Sequence, residues 1–341
     1  MNANSRPVDE WEGTAPLDEA TFKREIVEPC RPVALRQVCT GWPVLDAAER
    51  SNESLAAYLA GHDSGRKAEV FRGTPAIGGR YHYGENLEGF NFERETLGLG
   101  EALERMAECA AEPERGTLYL GSLPASQHLP GFAAENRLSF LSPEIEPRVW
   151  IGNASLVSCH YDTFDNLACV VAGVRRFTLY PPDSIGDLYV GPIDHTMAGP
   201  PVSLAAGSPP GDRRYPKFDV ARERALTVEL RPGDALYLPK LWWHQVEAPG
   251  PFNLLVNFWW DAFRAGPDAP NSTMMLAMIA IAERPEAERA AWRAFFDHYV
   301  FRPRGHPLAH LPEERHGILG PLGKGNYGRI RAAVMQMLRG G

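Results

Sequence analysis

Seven short apolar runs recur between residues 117 and 260, and residues that favour turns separate them. The runs cover residues 117–120, 148–151, 167–172, 176–180, 226–230, 235–238 and 254–260. Runs of this length between turn residues are typical of β-strands, whereas helices need longer periodic patterns. Turn-forming residues are abundant, with 32 Gly and 30 Pro among 341 residues, well above the roughly 12% of average usage. The spacing therefore predicts a mainly β protein, either a sandwich or a barrel.

Helical patterns lie on both sides of this strand-rich segment. Helical periodicity covers residues 17–27, 54–60 and 97–109 before it, and residues 272–283, 286–299 and 326–338 after it. We therefore expect a mixed α/β region at 1–110 that packs on the barrel, the barrel at 111–262, and a C-terminal helical region at 263–341. Residues 274–282 are apolar on nearly every side, which predicts a helix that is buried on more than one face.

Charge and cysteine content limit the partners and the compartment. Lys and Arg number 35 and Asp and Glu 43, for a net charge of −8, which disfavours nucleic acid as a partner. The five cysteines form no C-x-x-C pair, so a disulfide framework is not expected and the cytoplasm is favoured. The N-terminus has no apolar core of a signal peptide, and the apolar stretch 274–282 is too short to cross a bilayer. We expect a cytoplasmic protein without a membrane partner.

The strongest chemical signal is a set of three possible metal ligands. His160 and Asp162 are two positions apart, and in a continuous strand this spacing places both side chains on one face. Asp165 has an odd offset from His160 and would then point to the other face. His244 follows the run at 235–238 and supplies a second imidazole. Two His and one carboxylate are typical of non-haem Fe(II) oxygenases, although H-x-D alone is a weak signal.

Further motifs occur in a fixed order around these ligands. They are His-Tyr-Asp at 160–162, Asn166, Gly-Val-Arg-Arg-Phe-Thr-Leu-Tyr-Pro-Pro-Asp at 173–183, Pro-Gly-Asp-Ala-Leu-Tyr-Leu-Pro at 232–239, Trp-Trp-His at 242–244 and Val-Asn-Phe-Trp at 256–259. With these motifs, the segment 117–261 resembles the JmjC, or cupin-8, branch of the Fe(II)- and 2-oxoglutarate-dependent oxygenases. The chain is especially similar to the asparaginyl hydroxylase of this family that modifies hypoxia-inducible factor.

The resemblance implies a jelly-roll (double-stranded β-helix) barrel in which His160, Asp162 and His244 bind Fe(II). The family anchors the far carboxylate of 2-oxoglutarate on a lysine, and Arg175 stands at that position in this chain. On physical grounds, Arg175 on a strand face with apolar neighbours would need an anion as its partner. In the alternative, Arg176 faces inward and Arg175 is solvated.

Four more residues are expected to line the co-substrate site. Tyr119, Asn166 and Asn257 match family positions that hydrogen-bond 2-oxoglutarate, and Trp259 shares the strand face of Asn257. Arg175 is one departure from the family, and a second lies beside the first iron ligand. A hydroxyl residue often stands three positions before the first iron ligand, and this chain has Val157 there, followed by Ser158. The departure leaves open a different acid as co-substrate or a loss of activity.

Two further segments are expected to serve binding or assembly. Residues 181–216 form an insertion rich in Gly and Pro that also carries scattered apolar residues, which predicts an ordered lid beside the barrel mouth or a purely structural cover. In the asparaginyl hydroxylases that the chain resembles, C-terminal helices form a dimer interface. We therefore expect a homodimer through residues 263–341, or else helices that pack on the N-terminal region of the same chain.

These features together predict an oxygenase that couples oxidative decarboxylation of 2-oxoglutarate to a hydroxylation, with succinate and CO2 as co-products. A protein or peptide side chain is the expected substrate, while demethylation and oxidation of a small molecule remain open. Two alternatives come from other classes. One is a catalytically silent cupin that binds a metal or an acid as a sensor or scaffold, and the other is a cupin isomerase with another divalent metal.

Overall fold

The computed structural model describes residues 5–13, 17–197, 199–264 and 266–339. The chain divides into two compact units, residues 1–262 and residues 263–341. The strands of the first unit are β1 (Arg6–Pro7), β2 (Asp9–Glu10), β3 (Val33–Leu35), β4 (Ala68–Gly73), β5 (Arg80–Tyr81), β6 (Glu93–Leu97), β7 (Thr117–Pro124), β8 (Pro147–Gly152), β9 (Ser155–His160), β10 (Asp165–Ala172), β11 (Arg175–Tyr180), β12 (Leu226–Leu230), β13 (Ala235–Leu238), β14 (Trp243–Ala248) and β15 (Asn253–Trp260).

Helices of this unit precede or interrupt the strands. They are α1 (Glu19–Thr21), which continues as a π-helical turn at Phe22–Val27, α2 (Pro43–Arg50), α3 (Asn52–Gly61), α4 (Leu99–Ala111), α5 (Ala125–His128), α6 (Phe132–Glu135) and α7 (Phe218–Glu223). Short 3-10 turns lie at Pro75–Ile77, Glu85–Leu87, Pro113–Arg115 and Pro182–Asp187.

The strands form two sheets that share an apolar interior. The smaller sheet has the order β1-β12-β11-β14-β9-β5, and the larger has the order β2-β3-β13-β10-β15-β8-β7-β4-β6. Phe177 and Leu179 of the smaller sheet and Val170 and Leu236 of the larger belong to one buried cluster. Strands that are consecutive in the sequence, such as β9 and β10, lie in different sheets, as in a jelly roll. The predicted mainly β jelly-roll architecture is confirmed.

Strand β10 at the centre of the larger sheet explains why its run is apolar at successive positions. Ala168 and Val170 face the smaller sheet, whereas Leu167 and Cys169 pack in a second cluster with residues of the N-terminal helices. Because both faces of this strand are covered, an alternation of polar and apolar residues is not required. The larger sheet therefore forms a rigid middle layer between the helices and the interior.

The smaller sheet has one face covered and one face in solvent, so its strands alternate. In β11, Arg175 is 1% exposed and Phe177 is 3% exposed. Arg176 points outward and pairs with Glu229 on the adjacent β12, with a distance of 3.0 Å from Nε to Oε2. Arg175 therefore points into the barrel, as predicted. The alternative, in which Arg176 faces inward and Arg175 is solvated, is excluded.

Several element bounds differ from the sequence expectation. Helix α4 begins at Leu99 because Leu97 ends strand β6. Strands β4 and β6 were not expected, since charged side chains interrupt their apolar pattern; β6 forms an edge of the larger sheet, where such side chains reach solvent. Helix α3 is capped by Ser51, whose Oγ accepts a hydrogen bond from Ser54 N at 3.1 Å.

The described residues of the insertion 181–216 are hydrogen-bonded to strand β9. Val202 forms a bridge with His160, and Ser203 N donates to Cys159 O at 2.7 Å. A second attachment reaches the N-terminal region, where Tyr83 Oη donates to His195 O at 2.6 Å. The insertion therefore continues the smaller sheet beside the end of β9.

The second unit is helical. Its helices are α8 (Pro270–Ile281), α9 (Glu286–Phe296) with a π-helical turn at Asp297–Phe301, and α10 (Asn326–Arg339), and 3-10 turns lie at Glu313–Arg315, Gly317–Leu319 and Leu322–Lys324. The predicted burial of the apolar helix is wrong within this chain, because no residue of α8 is buried and Ile279 is 83% exposed. An apolar helix surface is normally buried, and the apolar side chains of α8 are exposed in this chain. No helix of the described residues is both long and apolar enough to cross a membrane.

Candidate metal centre

Three side chains converge where strands β9 and β14 meet. His160 ends β9 and is the direct register partner of His244 on β14. The ring centroids of the two imidazoles are 4.3 Å apart, and His244 Nε2 lies 3.7 Å from Asp162 Oδ2. One ligand atom from each of the three residues lies within 4.8 Å of the others. The structure thus brings together the three residues that the sequence indicated as a metal site.

Backbone carbonyls orient both imidazoles. His160 Nδ1 lies 2.8 Å from Ser158 O, and His244 Nδ1 lies 3.0 Å from Trp242 O. A carbonyl oxygen can only accept, so each Nδ1 carries a hydrogen, and Nε2 is the ring nitrogen that a metal can bind. Burial, with a further contribution from His160, lowers the pKa of His244 to about 4. The buried imidazole is therefore neutral at pH 7, which is the form that binds metal.

Asp162 reaches the two His residues by a different route from the one predicted. Strand β9 ends at His160, so the expected strand face shared by His160 and Asp162 does not exist. A loop at 161–164 carries Asp162 back toward the imidazoles, and Leu241 N donates to Asp162 O at 2.8 Å. This hydrogen bond joins the loop to the segment 239–242, which leads into His244. Phe164 and Leu241 on these two loops are half exposed, so the loops 161–164 and 239–242 define the mouth of the barrel.

Asp165 is excluded from the ligand group because other partners occupy it. It begins β10, is 1% exposed and accepts hydrogen bonds from Tyr237 Oη at 3.1 Å and Ala262 N at 3.0 Å. Lys240 Nζ lies 3.2 Å from Asp165 Oδ2 and also bonds Asp261. The carboxylate therefore holds the ends of three strands at the mouth and does not face the metal ligands.

A cavity of about 70 Å³ extends from the three ligands into the barrel. All eight residues predicted from the sequence line it: Tyr119, His160, Asp162, Asn166, Arg175, His244, Asn257 and Trp259. Val157 and Trp150 line it as well. Ser158 does not take the place of the missing hydroxyl, because its Oγ donates to Tyr81 O at 2.7 Å.

Arg175 is an uncompensated cation in this cavity. Its Nε and Nη2 are buried and have no hydrogen-bond partner among the described residues. The phenol of Tyr119 faces the guanidinium, and burial lowers the pKa of Arg175 and raises that of Tyr119. A buried guanidinium with free N–H groups is costly unless an anion binds it. The cavity therefore has the electrostatics of a site for a small acid.

A chain of amides crosses the wall opposite the metal ligands. Trp150 Nε1 donates to Asn257 Oδ1 at 2.7 Å, and Asn257 Nδ2 donates to Asn166 Oδ1 at 3.2 Å. The sequence motifs did not identify Trp150, although its inward position on β8 follows from strand alternation with the core residues Val149 and Ile151. Trp150 fixes the orientation of Asn257 and narrows the cavity beside Tyr119.

The residues present fit a divalent metal and a small anion. Two imidazole nitrogens and one carboxylate on one side of an ion leave coordination positions open, and Fe(II) is the metal typical of this donor set. The free N–H groups of Arg175 fit a carboxylate at the inner end of the cavity. A jelly roll with this ligand set defines the class of metal-binding cupins.

A family described as the cupin-like domain matches residues 19–266. The chain belongs to this family, and the resemblance seen in the motifs is confirmed. Among similar proteins, the bifunctional peptidase and (3S)-lysyl hydroxylase JMJD7 of Homo sapiens is 28% identical over 277 residues, which are 70% of this chain and 80% of that protein.

Two other relatives match shorter segments. HSPB1-associated protein 1 of Homo sapiens is 30% identical over 150 residues, 42% of this chain and 30% of that protein. Lysine-specific demethylase JMJ31 of Arabidopsis thaliana is 33% identical over 114 residues, 33% of this chain and 20% of that protein. The similarity thus spans less than a third of the length of these two relatives.

Proposed function

We propose that this protein is an Fe(II)- and 2-oxoglutarate-dependent oxygenase in which His160, Asp162 and His244 bind the metal. The observation that carries the proposal is the convergence of these three side chains beside a buried guanidinium whose Nε and Nη2 have no partner among the described residues. When bound, Fe(II) supplies oxygen activation and chelation of the 2-oxo acid, while the protein supplies orientation and a closed cavity.

The other residues of the cavity bind and orient the co-substrate. Arg175 pairs with the far carboxylate through two N–H groups, and the Tyr119 hydroxyl stands beside the same position. Asn166 and Asn257 offer amide groups along the wall, and the ring of Trp259 covers the cavity from the mouth side. Together these groups exclude bulk water from the acid and hold it in one direction.

A protein or peptide side chain is the proposed substrate, and hydroxylation is the proposed reaction. Two of the similar proteins, a (3S)-lysyl hydroxylase and a lysine-specific demethylase, support a substrate of this kind. A small-molecule substrate remains the alternative. Mass spectrometry separates the two protein reactions, since hydroxylation adds an oxygen atom and demethylation removes a methyl group.

The direct test measures succinate formed from 2-oxoglutarate by the purified protein with Fe(II) and oxygen. We expect slow substrate-independent turnover that disappears in His160→Ala and Asp162→Ala. His310→Ala is the matched control, since His310 is exposed and lies outside the site. Unchanged turnover in either ligand variant would refute the assignment. Calorimetry that shows metal binding without 2-oxoglutarate binding would favour a catalytically silent cupin.

We also propose a homodimer through the second unit. The support is the exposed apolar surface of α8, which includes Met274, Met275, Leu276, Met278 and Ile279. A second copy of the chain would cover such a surface. Light scattering should show a dimer for the wild type and a monomer for Ile279→Asp. Val220→Asp, which changes an exposed apolar residue of the first unit, should stay dimeric; a monomeric wild type would refute the proposal.

The remaining proposals concern domains and location. We propose that residues 1–110 support the barrel at 111–262 and that residues 263–341 serve assembly. The free state of all five cysteines supports a cytoplasmic location, where thiols stay reduced.

A further inference from the structure

A second arginine, Arg148, lies at the mouth of the barrel on the wall formed by the larger sheet. Arg148 is on β8, directly opposite Asn257 of β15, and shares a strand face with Trp150. Its guanidinium carbon lies 5.5 Å from the centre of the Trp259 ring. Trp259 and Trp150 line the metal cavity, so Arg148 belongs to the same wall.

Strand register places Arg148 at the opposite end of the barrel interior from Arg175. Strand β15 ends beside Asp165 at the mouth, and β8 is antiparallel to it. Arg148 is therefore nearer the mouth than Trp150. On β11, Leu179 pairs with His244, so Arg175 lies four residues further in than the metal ligand, about 13 Å along the strand. The two cations thus face different ligands.

Hydrogen bonds hold the guanidinium of Arg148, and none of them comes from a carboxylate of the described residues. Nε donates to Ser122 Oγ, and Nη2 donates to Ser122 O at 3.4 Å. No carboxylate pairs with Arg148 in the described part of the chain, whereas Arg105 on α4 pairs with Glu95 at 2.7 Å. The side chain is partly buried, and its ring partner holds it by a cation–π contact.

A further unpaired donor lies on the same ring. Trp259 Nε1 is buried and has no hydrogen-bond partner among the described residues. The Arg148 guanidinium over this ring presents N–H groups in a planar fork, which is the geometry that pairs with the two oxygens of a carboxylate. The position at the mouth, outside the inner end of the cavity, is where the group to be oxidised must enter.

We propose that the primary substrate carries a carboxylate close to the carbon that is oxidised, and that Arg148 binds this carboxylate. The inference rests on the proposed oxygenase function and narrows its substrate class to acidic molecules. The carboxylate belongs to an Asp or Glu side chain, to a peptide C-terminus or to a small acid. Arg148 is then a specificity-determining residue, with Ser122 and Trp259 as the groups that position it.

Affinity selection on the redox-inactive Mn(II) form, loaded with 2-oxoglutarate, tests the proposal without turnover. The probes are a random peptide pool, the same pool with amidated C-termini, and a set of small carboxylic acids with their matched amides. Retained molecules are identified by mass spectrometry. We expect the wild type to enrich carboxylates over amides by about tenfold or more, as a charge-assisted hydrogen bond requires. The arm that shows enrichment identifies the source of the carboxylate.

Variants of Arg148 decide whether this residue causes the enrichment. Arg148→Gln should reduce it to about twofold or less, and Arg148→Glu should reverse it in favour of Lys-containing peptides. Arg66→Gln, at an exposed arginine of the first unit, is the matched control and should keep the wild-type ratio. No enrichment by the wild type, or full enrichment by Arg148→Gln, would overturn the inference. Calorimetry of 2-oxoglutarate on the same samples distinguishes failure of this inference from failure of the proposed function. If the wild type does not bind 2-oxoglutarate, the proposed function itself is refuted.

Discussion

Replacing Arg175 by Met gives a prediction that separates a ligand site from a structural cation. Met has a similar length but carries neither a charge nor a donor. In the ligand-free protein, Arg175 buries Nε and Nη2 without partners. If these groups exist to bind an acid, the protein without the acid should not be harmed by their removal. Replacement of buried charges by apolar groups of similar volume is often neutral or stabilising.

The magnitude follows from the groups that change. An unsatisfied buried donor costs about 1–3 kcal/mol, and two of them are present on Arg175. The adjacent cavity of about 70 Å³ can hold water, which needs ~10–15 Å³ per molecule, so the lower end of this range applies. The Tyr119 hydroxyl loses its guanidinium neighbour, at a cost of about 1 kcal/mol. The net expectation is that Arg175→Met is more stable than the wild type by about 1 kcal/mol without ligands.

Urea unfolding at pH 7, with and without Mn(II) and 2-oxoglutarate, measures both effects. The wild type should gain about 2.7 kcal/mol at 2-oxoglutarate concentrations of 100 Kd, and Arg175→Met should gain nothing from the acid. Arg176→Met is the matched control, because Arg176 is exposed and pairs on the outer face; it should keep the full gain. An Arg175→Met protein that is much less stable than the wild type without ligands, or that is still stabilised by 2-oxoglutarate, would refute the reasoning.

Three further predictions concern the mouth and the cavity. Lys240→Met leaves the buried Asp165 carboxylate without its cation and should reduce the free energy of unfolding by about 2–3 kcal/mol. This value is below the usual range for a buried pair because Lys240 is partly exposed. Lys240→Arg should recover the loss, and equal stability of the two variants in urea would contradict the prediction. In the metal-free protein the pKa of His244 is about 4, below the value of about 6.5 in the unfolded chain. Between these two pH values the unfolded state binds a proton that the folded state does not. The free energy of unfolding should therefore fall by about 1.4 kcal/mol for each pH unit from pH 6.5 toward pH 4. This slope should be smaller in His244→Gln, and unfolding curves at four pH values measure it. Val157→Thr restores a hydroxyl to the cavity wall and should tighten 2-oxoglutarate binding about 3- to 10-fold by calorimetry; weaker binding would show that the wall has no room for the hydroxyl.

Much of the architecture follows from patterns that depend on local burial. The runs at 226–230 and 235–238 match β12 and β13 residue for residue, because turns bound them sharply on both sides. The inward orientation of Arg175 follows from alternation on a sheet that has one face in solvent. These signals are local, so the sequence alone is sufficient to predict them.

Other features depend on the folded environment and could not be predicted. The position of Asp162 depends on the loop at 161–164 and on the hydrogen bond from Leu241, which joins segments almost 80 residues apart. Strand parity does not explain why Asp162 lies beside the two imidazoles, since β9 ends before Asp162. The exposure of α8 was missed because an apolar pattern indicates a need for burial and does not show whether the same chain meets it.

The buried carboxylate of Asp165 connects the three candidate metal ligands to the rest of the fold. Its carboxylate holds the start of β10, the backbone of Lys240 and the end of β15 through hydrogen bonds to Lys240 N and Ala262 N. The loop 161–164, which carries Asp162, ends at Asp165, and Lys240 lies within the loop 239–242, which leads to His244. Because a buried carboxylate needs all its partners to be stable, the loops cannot move apart without breaking that set of bonds. The ligand geometry is thus maintained by a charge cluster that does not itself contact the metal site.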